Sequence, residues 1–422
     1  MSKGFLATAA IAVFVFALPL VADAKIEITG AALVSAQKVD FDSTSGNLDE
    51  DFNFNDPRVN LYINGDITDK ISIGIGLWAG NDYSHENTRL VNDGQVAARG
   101  NNIDGLTASA VNMLNACIII KDVMGTGMNL KPGLIDIPYG FEWTRRTNHG
   151  DDKNNDFITN GLLDINGTEN GISLSGGLEG HFKTPATWEI ALMNGGSVTD
   201  GNPSGAGEAV RSNRDLAWAA RFEGQVQDNL TIQASYYKNN ERKDGDQDPL
   251  NVGSAFLVNN INAMGTGAAG TAANPNLNGL VFTNGYDRSM WEASAKYDYG
   301  QGYVLGFWGD IKADSSTTGA VSLNRKWKYW GAQGRYNFDE NSYAAVRYNK
   351  LDPDYSASNN LGEPHLWTVA AGYKLADNAM VKAEWSKLDE GGDGFGNAAA
   401  ANTNDGRSSD ADALTVAVGV SF

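Results

Sequence analysis

The 422-residue chain contains one cysteine, Cys117, which excludes an intramolecular disulfide. After residue 24 it has no apolar stretch long enough for a spanning helix, which excludes a bundle of transmembrane helices. Its 32 Lys and Arg residues face 51 Asp and Glu residues, and the formal net charge of −19 argues against nucleic acid as a partner. A chain of this size without disulfides needs another source of rigidity, and a closed sheet supplies one.

Motifs of enzymes, metal sites and cofactor sites are also missing. There is no G-x-S-x-G nucleophile elbow, no phosphate cradle and no haem-attachment motif. The acidic stretch that starts at Asp244 begins like a calcium loop, but its twelfth position, where a bidentate Glu is needed, is Ala255. No two histidines have metal-ligand spacing: they are His85, His149, His181 and His365. The sequence therefore predicts a protein that is not an enzyme and holds no metal or cofactor.

The first residues have the layout of an export signal. Lys3 provides a positive charge, an apolar stretch runs from Phe5 to Val21, and Ala22-Asp23-Ala24 is a small-x-small cleavage site. The apolar stretch is shorter than a comfortable spanning helix and contains Pro19. We therefore expect residues 1–24 to be a cleaved signal peptide, with the mature protein beginning at Lys25.

The final ten residues alternate strictly between two kinds of side chain. Leu414, Val416, Val418, Val420 and Phe422 share one face of a strand, and the opposite face carries only small or weakly polar groups. Such a strand suits a barrel wall with lipid outside and water inside. The pattern resembles the C-terminal signature of Gram-negative outer-membrane barrels, in which a terminal Phe is read by the barrel-assembly machinery. Phe422 is therefore the candidate assembly signal, and the outer membrane is the expected location.

The connections along the chain alternate between short turns and long polar loops. Seven short turns and eight long loops imply sixteen strands, with both termini on the short-turn side. This predicts an all-β, transmembrane antiparallel barrel over residues 25–422, with short periplasmic turns and long external loops. A mean hydropathy of −0.33 agrees, since alternation hides the apolar face in the average. Aromatic residues recur near strand ends, which predicts interfacial girdles: Trp78, Phe182, Trp188, Tyr236, Tyr299, Tyr303, Trp330, Phe338, Tyr343, Tyr373, Trp385 and Phe422.

Over its whole mature length the chain resembles a sixteen-stranded Gram-negative porin. Gly133–Gly140 also resembles the stretch that leads into the third loop of phosphate-selective porins. In that family the third loop folds into the barrel, and its acidic residues face a basic ladder across a constriction. Here the resemblance makes residues 139–169 the constriction loop, with Arg145 and Arg146 as a basic pair in it. The candidate acidic side is Asp151, Asp152, Asp156 and Asp164, and the candidate basic side is Arg335, Arg347, Lys374 and Lys382.

The expected function is passive diffusion of small hydrophilic solutes and ions through a water-filled pore. The resemblance also implies a homotrimer embedded in outer-membrane lipid. Two alternatives stay open. One is a channel selective for a sugar or for an anion such as phosphate, and the Arg145–Arg146 pair keeps the anion-selective version open. The other is a structural barrel, either a surface attachment protein or a sheath for a periplasmic electron carrier, which is expected to lack a constricting loop.

Overall fold

A computed structural model of the chain describes residues 25–41, 53–80, 111–141, 156–158, 164–166, 168–178, 186–194, 216–239, 251–253, 286–315, 325–355, 363, 365–389 and 411–422. The expected signal peptide, residues 1–24, lies outside the described residues. No helix in these ranges is both long and apolar enough to cross a membrane. A 3-10 turn, Val123–Gly125, is found between two strands.

Sixteen antiparallel strands of the described chain close into one barrel, which confirms the predicted fold class. The first eight are β1 (Lys25–Phe41), β2 (Asn53–Thr68), β3 (Ile71–Gly80), β4 (Val111–Ile120), β5 (Asn129–Asp136), β7 (Thr168–Leu178), β8 (Ala186–Met193) and β9 (Ala217–Gln227). The other eight are β10 (Leu230–Asn239), β12 (Tyr286–Asp298), β13 (Gly302–Ser315), β14 (Arg325–Asn337), β15 (Ser342–Tyr355), β16 (His365–Ala376), β17 (Ala379–Asp389) and β18 (Ala411–Ser421). Each strand pairs with its neighbours in sequence order, and β1 closes the barrel on β18.

Two further strands lie outside the barrel wall. β6 (Asp164–Asn166) and β11 (Asn251–Gly253) form a separate antiparallel pair. The first belongs to the connection between β5 and β7, and the second to the connection between β10 and β12. This pair therefore joins two of the long connections at the same end of the barrel.

The two faces of each strand differ in the way that the alternation predicts. On β16, Trp367 and Val369 are 45% and 47% exposed, whereas Thr368 between them is fully buried. On β18, Leu414, Val416, Val418 and Val420 are exposed, and the residues between them point inward. Because apolar side chains face outward and small or polar ones inward, the barrel presents a lipid-compatible surface around a polar interior.

The barrel closes beside its last residue. Backbone hydrogen bonds of 2.9 Å join Phe422 and Gly30 in both directions. A Cβ atom at position 30 would lie 2.5 Å from Cζ of Phe422 and 2.7 Å from the carbonyl oxygen of Asn60. Glycine at this position therefore makes room for the terminal aromatic ring on the outer face, where β1 and β18 meet.

Outward-facing aromatic rings form a row toward the end of the barrel that carries the long connections. Ring centroids of Trp330 and Tyr348 are 5.2 Å apart, and those of Tyr348 and Trp367 are 4.7 Å apart. The row continues on two earlier strands, where Trp291 and Trp308 are 6.0 Å apart. Its position is the one that interfacial aromatic residues occupy in membrane barrels.

Candidate functional site

The chain that follows β5 turns into the barrel and lies on its inner wall. The backbone N–H of Gly140 donates to Oγ of Ser235 at 3.0 Å, and that of Phe141 donates to Oε1 of Glu292 at 2.8 Å. The hydroxyls of Tyr139 and Tyr329 are 2.8 Å apart. Inward-facing residues of β10, β12 and β14 therefore hold residues 139–141, which we call the first docked segment.

Gly140 allows this segment to make its turn against the wall. Its φ of +76° lies in the left-handed region that side-chain-bearing residues rarely adopt. Glu292 lies directly beneath it and uses both carboxylate oxygens, because Tyr329 donates to Oε2 at 3.0 Å. Phe141 then packs against Tyr303 and Leu305 of β13. Both polar and apolar contacts thus fix the start of the third loop inside the barrel.

Residues 156–158, the second docked segment, lie on the same wall farther along the third loop. The Asp156 side chain is 1% exposed, and its Oδ1 accepts a hydrogen bond from Nη1 of Arg335 at 2.7 Å. Its Oδ2 accepts a hydrogen bond from the Tyr303 hydroxyl. Its backbone carbonyl accepts another from the Tyr343 hydroxyl at 2.9 Å. A buried carboxylate is stable only with such partners, so these contacts fix Asp156 in place.

Apolar and cation–π contacts support the rest of the second docked segment. Phe157 is buried in a cluster with Tyr343, Ala345 and Ala370. The Arg347 guanidinium carbon lies 4.3 Å from the centre of the Phe157 ring. The next residue, Ile158, donates its backbone N–H to Oε2 of Glu384 at 2.6 Å. The segment therefore spans the inner faces of β13 to β17.

The second docked segment reaches deep into the barrel. Its partners Tyr303 and Tyr343 are each the second residue of a strand that starts at a short turn, β13 and β15 respectively. The third loop leaves the barrel wall at the opposite end, after β5. The two docked segments therefore narrow the space left for water and solutes inside the barrel.

The predicted constriction residues fall into different surroundings: some contact the loop or lie buried on the wall, and others do not. Asp156 and Arg335 are in direct contact against the wall, and Arg347 and Lys382 are buried on it, 3% and 4% exposed. Lys374 pairs with the turn residue Asp377 at 2.8 Å. The backbone of Asp164 pairs with that of Gly253 in the β6–β11 sheet. The remaining candidates lie outside the described residues: Arg145, Arg146, Asp151 and Asp152.

Two residues that the sequence assigned to an interfacial girdle face the interior instead, and for them that prediction is wrong. Tyr303 and Tyr343 are 6% and 2% exposed, and both hydroxyls bond to Asp156. Proximity to a turn suggested a girdle, but strand parity gives the correct side. Val304 and Val346 are 50% and 43% exposed and therefore face outward. Tyr303 is one residue from Val304, and Tyr343 is three residues from Val346. Because side chains alternate along a strand, an odd separation places both tyrosines on the inner face.

Ionic groups on the opposite wall are left uncovered by the docked segments. Nζ of Lys131 on β5 lies 3.2 Å from Oε1 of Glu189 on β8, which also accepts from Ser173 Oγ at 2.6 Å. On β9, Nη2 of Arg221 lies 2.5 Å from Oε2 of Glu223. The side chains of these two pairs are between 14% exposed, for Arg221, and 34% exposed, for Glu223, against 1% for Asp156 and 24% for Arg335. These paired charges, which we call the open-wall array, are accessible from the interior.

No protein-family model and no curated protein sequence matches the chain. Solved structures do: OmpT, an outer membrane protein of Vibrio cholerae, has 10% identity and a TM-score of 0.53 over 94% of this chain and 98% of that one. An anion-selective porin from Comamonas acidovorans has 11% identity and a TM-score of 0.53 over 95% and 100%. The outer membrane channel DcaP of Acinetobacter baumannii has 11% identity and a TM-score of 0.54 over 95% and 98%. At these identities the likeness shows a shared barrel fold.

Proposed function

We propose that the protein is an outer-membrane porin that lets small hydrophilic solutes and ions diffuse passively through its interior. The observation that carries this proposal is the third loop, which is held inside a closed barrel by two docked segments. A barrel of sixteen strands is wide enough to contain water, whereas one of eight is filled by side chains. Segments fixed against one wall reduce this width, and the proposed path for solutes is the space that remains.

The two walls have different roles in this proposal. On the β12–β17 wall, Arg335 and Arg347 contact the second docked segment and serve to hold the loop. On the wall of β5 to β9, the open-wall array faces the remaining space, with two cations beside two carboxylates. Charges that line a narrow aqueous path bias which ions enter. Selectivity therefore depends on this array together with Asp151 and Asp152 of the third loop, the candidate acidic side.

The test is planar-bilayer recording from the refolded protein, with the reversal potential measured under a salt gradient. We expect discrete conductance steps and a cation preference that falls in the D151N/D152N variant. Arg221→Gln removes one open-wall cation and is expected to move the reversal potential toward greater cation preference. A folded, heat-modifiable barrel that gives no conductance would refute the diffusion channel and favour a plugged scaffold.

Of the alternatives, a selective channel keeps the same architecture and differs only in its solute. The anion selectivity named for the Comamonas acidovorans porin belongs to that protein, and the reversal potential decides the sign for this one. A sheath around an electron carrier needs an open interior, so the two docked segments count against it. A trimer is the proposed assembly, in keeping with the trimer form described for Vibrio cholerae OmpT.

A further inference from the structure

Three lysines form a compact group on the outer surface of the barrel. Lys312 of β13 lies directly opposite Lys326 of β14, and Lys328 follows two residues later on the same face. They share strand parity with Trp308 and Trp330, which are 55% and 42% exposed on the outer face. We call Lys312, Lys326 and Lys328 the lysine cluster.

The lysine cluster lies just beyond the outer aromatic row, toward the long connections. Trp308 pairs with Trp330; Lys328 lies two residues beyond this pair on β14, and Lys326 and Lys312 lie four residues beyond it on β14 and β13. At about 3.3 Å per residue, its members lie roughly 7 and 13 Å beyond the tryptophan pair. Interfacial tryptophans lie at the level of lipid headgroups. A strand tilt of about 40° reduces these distances to roughly 5 and 10 Å along the membrane normal, so the lysines lie at the outer edge of the headgroup layer and their flexible side chains can reach its phosphates.

Three acidic residues adjoin the three lysines in the sheet, but none lies directly opposite Lys312. Like charges directly opposite each other on neighbouring strands destabilise a sheet, and Lys312 and Lys326 are such a pair. Among the described side chains, none lies within salt-bridge distance of a member of the cluster. Acidic residues occupy backbone register positions opposite two of the lysines: Asp310 and Asp352 are opposite Lys328, and Asp354 is opposite Lys326. Opposite Lys312 are only Lys326 and Ser289.

We propose that the lysine cluster binds a phosphate group of a lipid headgroup in the leaflet at the long-loop end of the barrel. An anion between Lys312 and Lys326 removes their mutual repulsion and gives both ammonium groups a partner. The flanking tryptophans contact the acyl chains of the same lipid, which favours a membrane-tethered phosphate over a free one. The proposal rests on the membrane insertion of the proposed function but not on conduction.

Native mass spectrometry of the protein in detergent micelles tests this proposal. The probe is phosphatidic acid, compared with diacylglycerol of the same acyl chains, which lacks the phosphate. We expect the protein to bind phosphatidic acid about tenfold more tightly than diacylglycerol, and K312Q/K326Q/K328Q to lose that preference. The charge-preserving K312R/K326R/K328R variant is expected to keep it.

A matched control uses two outward lysines at the same end of the barrel. Lys238 and Lys387 each lie opposite a tryptophan and not opposite another lysine. K238Q/K387Q is expected to retain the preference for phosphatidic acid. An equal loss in this variant would show that surface charge in general causes the preference, and would refute binding at the lysine cluster. Retention of the preference in the triple glutamine variant would also overturn it. Displacement of phosphatidic acid by millimolar inorganic phosphate would identify a free-phosphate site instead.

Folding and conduction are checked separately in these experiments. Should the triple glutamine variant fail to fold, as judged by its heat-modifiable mobility, Lys312→Gln alone is used. That single change is expected to reduce the preference about threefold, and an unchanged preference would count against the proposal. Bilayer conductance of the lysine variants is expected to equal that of the unmodified protein. A protein that binds phosphatidic acid selectively but does not conduct would contradict the channel and leave the lipid site standing.

Discussion

Substitution of Asp156 by alanine is expected to loosen the third loop without unfolding the barrel. The carboxylate is 1% exposed and holds the loop through Arg335, at 2.7 Å, and the Tyr303 hydroxyl. In the D156A variant neither of these partners is stranded in an apolar core. The Arg335 side chain is 24% exposed, and Tyr303 still accepts from Nε2 of Gln333 at 2.9 Å. The free energy lost in D156A therefore weakens the docking of the loop and not the folding of the barrel.

The size of the effect follows from the bonds that are lost. A hydrogen bond to a charged group contributes about 1.5–3 kcal/mol, and a neutral partner adds about 1 kcal/mol. Desolvation of the carboxylate in the native state offsets part of this, which leaves about 2–3 kcal/mol. Since 1.4 kcal/mol is tenfold in an equilibrium constant, the undocked population rises by about 30- to 140-fold. Phe157 and the first docked segment still favour docking, so the undocked state remains a minority.

Single-channel recording is the assay for this change. We expect D156A to show brief excursions to a larger conductance, more frequent than in the unmodified protein by that factor, with little change in the mean conductance. Arg335→Gln should behave in the same way. The double variant should be no worse than D156A, because D156A already removes the contact with Arg335. Each variant is first checked for heat-modifiable mobility, which reports an intact barrel.

Lys374→Gln is the matched control for these variants. Lys374 also faces inward near a short turn, but its partner is the fully exposed Asp377 and not the loop. It should leave the frequency of the excursions unchanged. Equal frequencies in D156A and the unmodified protein would refute the anchoring role of Asp156. A rise in K374Q as large as in D156A would show that any lost inward charge has this effect, and the argument from docking would fail.

Three further substitutions test other contacts. Phe157→Ala removes a buried ring and should weaken docking of the loop by about 3 kcal/mol. The conductance excursions should become at least as frequent as in D156A, and the reversal potential should not change. Tyr329→Phe deletes the hydroxyl that donates to Glu292, so a smaller rise is expected, of about tenfold for 1–1.5 kcal/mol. Phe422→Ala removes the ring beside Gly30 and should lower the heat-modifiable fraction formed on refolding into lipid vesicles, whereas Phe422→Tyr should not. Equal heat-modifiable fractions in the two variants would contradict a role of the ring in closing the barrel between β1 and β18.

The barrel could be predicted from the sequence because its signals are local. Alternation with period two gives the two faces of a strand, and turn residues give the ends. These are the features that β16 and β18 show in the structure. The expected charged candidates Arg335, Arg347 and Lys382 do face inward, as their parity requires. Fold and sidedness thus follow from patterns that extend over only a few residues.

The resemblance to porins placed the third loop inside the barrel, but the particular contacts that hold it could not be predicted, because they join distant parts of the chain. Asp156 meets Arg335 across 179 residues of sequence, and Phe141 meets Glu292 across 151. Nothing in the local pattern of β14 distinguishes an arginine that a loop will cover from one that stays open to water. The same limitation explains Tyr303, whose position beside a turn suits either a girdle or a loop anchor.

Two inward arginines illustrate what this means for selectivity. Arg335 and Arg221 have the same chemistry and the same sidedness, and each has a carboxylate within 2.7 Å. The partner of Arg335 is a buried loop residue, whereas the partner of Arg221 is Glu223 of its own strand, 34% exposed. The exposed fractions of the arginines themselves, 24% for Arg335 and 14% for Arg221, do not separate their roles, but their partners do. Removal of Arg335 frees a residue of the loop and changes how the loop is held. Removal of Arg221 leaves the loop contacts intact and changes the charge of a wall pair whose carboxylate is open to water and acts on passing ions. The number of inward cations is therefore a poor guide to ion preference, because the loop neutralises some of them.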